Sequence, residues 1–141
     1  MGTQQILLIV LSVIIVGIAV AVGITMFNQQ AFNSNRNACI ADLNNFASQA
    51  MAFYKTPTSH GGHGNAATAP NEANLIEWIG FTDGTTGTND FKTGNGEYEI
   101  TTINATTLVI SADGNEDGVD PVLTLTWATG VTTLDLSAAS S

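Results

Sequence analysis

Cations are scarce in this sequence: 3 Lys+Arg stand against 12 Asp+Glu, for a formal charge of −9 over 141 residues. Such a chain repels a phosphate backbone instead of displacing its counterions, which excludes nucleic acid as a partner. Cysteine is scarcer still. The lone Cys39 can close no intramolecular disulfide and has no second thiol for a cysteine-rich zinc site, so no covalent staple holds the fold. Charge of either sign is missing before Arg36, and proline before Pro57. The length allows one ordinary domain with an appendage, which rules out a multidomain enzyme.

What fills the uncharged beginning is apolar. Residues 6–27 read ILLIVLSVIIVGIAVAVGITMF, broken only by Ser12, Gly17, Gly23 and Thr25. As a helix this run spans roughly 33 Å, the thickness of a bilayer core. A secretory signal peptide fits less well, because the run exceeds the usual apolar region, has no basic residue before it and lacks a clear small-x-small cleavage site. Residues 1–55 carry Arg36, Asp42 and Lys55 for a net +1, and residues 56–141 carry Lys92 against eleven acids for a net −10. The distal part therefore reads as a solvated, self-repelling surface. Positive-inside counting leaves the orientation open, since Arg36 and Lys55 both follow the span.

Helical character continues past Phe27. Residues 28–55 contain neither Gly nor Pro, and at about 100° per residue Cys39, Ile40, Leu43, Phe46, Ala47, Ala50, Met51, Phe53 and Tyr54 share one broad arc. Asp42, Asn44, Asn45, Ser48, Gln49 and Lys55 are placed opposite. A face that wide either divides between a sheet and a second helix or belongs wholly to one core. Thr56-Pro57 ends the helix, because proline restricts the residue before it. The sequence thus predicts one helix of about 50 residues, apolar in its first half (1–27) and amphipathic in its second (28–55).

Residues 58–70 are small and polar and read as a loop. NEANLIEWI at 71–79 predicts a short helix capped by Asn71 and stopped by Gly80. Gly94-Asn95-Gly96 marks a turn, and residues 97–103, 106–112, 122–127 and 131–136 are short β-branched runs with short links, which predicts a four-stranded antiparallel meander. A sheet of this kind needs one face covered, and the amphipathic half-helix needs its arc covered. The economical fold is α+β: a long N-terminal helix whose second half lies on a small four-stranded sheet, a lollipop with residues 56–141 as its head. Residues such as Tyr98, Ile100, Leu123, Leu125 and Trp127 are the expected sheet contribution to the core, with the inward alternation left open by one residue.

An apolar handle of this length has two stable homes, a bilayer or a bundle of identical handles. Gly17/Ala21 and Ala19/Gly23 are small-xxx-small pairs that allow close helix approach, although Gly and Ala are common in any membrane helix. The whole arrangement, with the apolar half-helix, the amphipathic Asn35-Arg36-Asn37-Ala38, Asp42-Leu43, Ala50 and Tyr54, the Gly-rich loop and the small sheet, resembles type IV pilins and the pseudopilins of type II secretion. The resemblance implies a subunit held first in the cytoplasmic membrane with its head outside. The pilus assembly machinery then polymerises it into an extracellular helical homopolymer with the apolar half-helices at the centre. The family's fifth mature residue is a glutamate that pairs with a neighbour's amino terminus. Counted from Met1 this position is Gln5, which hydrogen-bonds without charge, and after a cleavage at Gly2 it is Leu7. The runner-up expectation is a minor pseudopilin or a membrane-anchored surface binding module.

Chemistry is sparsely signalled. His60 and His63 form H-G-G-H in a loop with no nucleophile and no helical His-Glu-x-x-His nearby, so no enzyme is expected. Asp113, Asn115 and Asp117, with Asp120 behind them, match the D-x-[DN]-x-[DN]-G opening of a Ca²⁺ loop. The twelfth position is Thr124 instead of glutamate and the flanks are strands, so an acidic solvated turn is the competing reading. Asn104-Ala105-Thr106 is a formal glycosylation sequon in an expected tight turn.

Overall fold

The computed structural model describes residues 2–80 and 91–136. The chain divides into two compact units, Met1–Ser34 and Asn35–Ser141. Helix α1 (Thr3–Lys55) runs unbroken for 53 residues and contributes to both. It ends at the predicted Thr56-Pro57 break, where the Thr56 hydroxyl and amide both donate to the Ala52 carbonyl, at 2.6 and 3.0 Å. Loop 58–70 contains a single 3-10 turn, Thr58–His60. Helix α2 (Glu72–Ile79) begins as its sequence predicts, with the Asn74 amide donating to the Asn71 side chain at 3.2 Å, and ends at a left-handed Gly80.

The sheet has five antiparallel strands in sequence order: β1 (Phe91–Thr93), β2 (Gly96–Ile103), β3 (Thr107–Gly114), β4 (Val122–Thr126) and β5 (Thr132–Asp135). The predicted meander is present, and the expected count of four is corrected by β1. Three residues, Phe-Lys-Thr, are too few to show alternation, and β1 exists only because the turn at Gly94 and Asn95 folds it back on β2 with Phe91 opposite Tyr98. A register shift between Ile100 and Thr102 lets β2 keep both Ile100 and Ile103 paired with β3.

In the second unit, the Asn35-to-Lys55 part of α1 covers the sheet. Cys39, Leu43, Phe46, Ala47, Ala50, Phe53 and Tyr54 are buried, against Tyr98, Ile100, Leu108, Ile110, Leu123, Leu125 and Trp127. All five core residues expected from the strands face inward. Phe46 meets Tyr98 edge-on at 5.0 Å and Tyr54 stacks on Trp127 at 5.0 Å, geometries that add to simple area burial. Leu75 and Ile79 of α2 are buried as well, with Phe91, Ala112 and Val119 from the sheet and its β3–β4 link, and Trp78 packs edge-on against Phe53 at 5.7 Å.

Candidate functional site

The first unit offers a site defined by apolarity. From Ile6 to Phe27 every large apolar side chain is exposed, by 49 to 73%. Among the described residues α1 is the one helix long and apolar enough to cross a membrane. Water is an unsuitable home for it. Each Val, Ile or Leu left out of an apolar environment forgoes about 1.5–3 kcal/mol, so the segment as a whole forgoes tens of kcal/mol, more than a domain's entire stability of about 5–15 kcal/mol.

Its two side-chain hydroxyls are satisfied within the helix, by the same bond that the exposed Ser48 makes to the Asn44 carbonyl further along α1. The Ser12 hydroxyl donates to the Leu8 carbonyl at 2.7 Å and the Thr25 hydroxyl to the Ala21 carbonyl at 3.0 Å, so neither arrives unsatisfied in a medium without water. Gly17 and Gly23 have open space where a side chain would stand. At about 100° per residue Gly17 and Ala21 lie on one side of the helix while Ala19 and Gly23 lie nearly opposite. Small residues on two opposed faces permit close approach by two neighbours at once. Gln5 is exposed in the first turn.

The second unit contains a polar seam between α1 and the sheet, and here one expectation is corrected. Periodicity puts Asp42 on the solvent side, but it is half-buried and its Oδ2 accepts from the Tyr98 hydroxyl at 2.7 Å, Asn95 Nδ2 at 2.8 Å and the Thr93 hydroxyl at 3.3 Å. A carboxylate gathering three donors is charge-assisted on each and gains more than a neutral acceptor would. Its angular position at the edge of the arc explains the misplacement: a periodicity count assigns charge to water, while the tertiary fold brings donors to it. Burial, and then donation to Asp42, push the Tyr98 phenol well above the ordinary tyrosine value. Burial is also the main reason the Cys39 thiol is raised, consistent with a packed and inert side chain.

The same seam fixes the acidic loop. Asn35 donates from Nδ2 to the Asn95 carbonyl at 2.9 Å and accepts at Oδ1 from the Glu116 amide at 3.2 Å, tying α1 to two turns at once. Asn115 donates to the Gly94 carbonyl at 2.8 Å. Gly114 has to be glycine, since a Cβ there would run into the Asn35 side chain and Val119.

Of the four candidate calcium ligands, Asp120 is buried while Asp113, Asn115 and Asp117 are exposed. Asp113 is raised by desolvation, then by the charges of Asp120 and Glu97, a hydrogen bond with Asp120 and the charge of Asp117. Among the described residues no group of three or more His, Cys, Asp or Glu side chains is arranged to hold a metal ion. The structure brings Asp113 and Asp120 together and gives Asn115 a separate job in the seam.

The two histidines of the loop do not converge either. His60 Nδ1 pairs with the Ser59 hydroxyl at 3.1 Å, while His63 stacks on Tyr54 at 5.4 Å and places Nε2 2.8 Å from the Thr68 carbonyl. Each ring has a local structural partner. No protein-family model, curated protein or solved structure matches the chain.

Proposed function

We propose that this chain is a structural subunit of an extracellular filament like a type IV pilus, held first in a membrane and then polymerised through the apolar half of α1. The observation that carries this reading is the continuity of α1: one helix has an apolar half with every large side chain uncovered and a second half that completes the core of a sheet. A lipid anchor alone would need the first feature but gains nothing from small residues on opposed faces. A packed filament centre uses both, because each helix in an open polymer must meet neighbours on more than one side.

In this reading assembly rests on packing of the apolar helices, since residues 1–27 carry no charged side chain to pair with a neighbour. The test is negative-stain imaging of material sheared from cells that make the protein, with amino-terminal sequencing of what is sheared. Thin filaments containing this chain are expected. Recovery of the chain solely as a detergent-soluble membrane protein, with no filaments, overturns the polymer and leaves a membrane-anchored surface module.

A further inference from the structure

Asn104 is the one asparagine in the chain that opens an Asn-x-Thr/Ser sequence, and the structure puts it at the exposed tip of the β2–β3 hairpin. Its side chain is polarised into two unequal ends. Oδ1 accepts from the Thr106 amide at 2.9 Å, the Thr106 hydroxyl at 2.9 Å, the Thr107 amide at 2.7 Å and the Thr107 hydroxyl at 3.2 Å. Every one of these donors lies within three residues, so the arrangement is local to the turn. The carbonyl of Asn104 is held separately by Trp127 Nε1 at 3.0 Å, which pins the tip to the end of β4.

We infer that Asn104 is the acceptor of an N-linked glycan, with Thr106 as the residue that orients its carboxamide. Oδ1 is saturated by the turn and Nδ2 makes no hydrogen bond among the described residues, so the nitrogen is the end of the side chain left for chemistry. The sequence Asn-Ala-Thr meets the acceptor requirement, with no proline in the middle, and the exposed tip allows bulk without disturbing the sheet. The donor is a sugar chain carried on a lipid diphosphate. The Nδ2–C1 bond forms as the C1–O bond to phosphate breaks, the lipid diphosphate leaves with the electron pair, and a base of the transferase takes one Nδ2 proton. The inference requires the head to be exported, as the proposed function has it, but not that the chain polymerises.

The test is mass analysis of peptides from the full chain, extracted with detergent from the cells that make it, for wild type and three variants. Asn104→Asp keeps the acceptor oxygen of the turn and removes the nucleophilic nitrogen. Thr106→Ala removes the orienting hydroxyl, and Thr106→Ser restores it. Carbohydrate mass on the Asn104 peptide of wild type and Thr106→Ser, lost in Asn104→Asp and Thr106→Ala, is expected. An unmodified Asn104 peptide in wild type overturns the inference, and so does carbohydrate that persists in Asn104→Asp. A glycosylated chain found in membranes without filaments refutes the polymer and leaves the acceptor site standing.

Discussion

Tyr98→Phe isolates one hydroxyl. The ring of Tyr98 is 1% exposed and packed edge-on against Phe46, and phenylalanine keeps that packing. What disappears is donation to Asp42 at 2.7 Å. A hydrogen bond to a charged partner contributes about 1.5–3 kcal/mol net. Asp42 keeps Asn95 and Thr93 as donors and is only half-buried, so the loss falls at the lower end, about 1.5–2 kcal/mol. For a domain of this size that is a fall in Tm of roughly 6–8 °C.

The partner substitution, Asp42→Ala, strands the buried Tyr98 hydroxyl and the Asn95 amide together and costs more, about 3 kcal/mol. The double variant should cost less than the two singles added, with a coupling of about 1.5 kcal/mol. Thermal and denaturant melts of the full chain in detergent micelles, followed by the near-ultraviolet circular dichroism of the head, measure all three.

The pH dependence follows from the raised phenol. Because the folded-state value lies above the unfolded one, the native state holds a proton that the unfolded state releases. The contribution is therefore complete below about pH 10 and declines as pH rises beyond it. Wild type should lose stability steeply above pH 10 and Tyr98→Phe less steeply. If Tyr98→Phe melts within about 0.5 kcal/mol of wild type and keeps the same alkaline slope, the seam is incidental and the reasoning fails.

Replacing Gly17 and Ala21 together with leucine should abolish filament yield while leaving the Tm of the head unchanged, since the added bulk lies outside the second unit; normal filament yield from that variant would favour a lipid anchor. A chain beginning at residue 28 should be a soluble monomer with a cooperative melt, because the buried residues from Cys39 to Trp127 are all retained; a disordered product would show that the core is completed by neighbouring subunits. Asp113→Asn should raise Tm at neutral pH and lose that advantage on acidification. Asp113 is raised in the folded state, so wild type gains stability as pH falls through that raised value towards the ordinary aspartate range; a variant advantage unchanged by acid would exclude the desolvation and like-charge cost of ionising Asp113 as its cause. Filament assembly should need less protein at about 0.15 M than at 0.01 M salt, where the Debye length grows from about 8 to 30 Å and the −10 heads repel one another unscreened; a salt-independent critical concentration would contradict this.

The long helix, its apolar and amphipathic halves, its stop at Pro57, the short capped helix at 72–79 and the meander are local matters. They follow from side-chain periodicity, from proline and glycine at the breaks and from a cap residue, each of which acts within a few positions. Alternation along a strand sorts Tyr98 with Ile100 and Leu123 with Leu125, Trp127 following in the same phase, but which face turns inward is decided by where α1 packs. The polar seam was not legible in the sequence. Asp42, Asn95 and Tyr98 are separated by more than fifty residues from helix to sheet, and their value to one another appears only once α1 lies across β1 and β2. Likewise β1 has too few residues to announce itself and takes its identity from its pairing with β2. Local sequence sets where each side chain points along its own element. Which buried polar atom meets which partner is decided by the register and docking of elements distant in the chain, since a hydrogen bond is satisfied by geometry in space and leaves no period in the sequence.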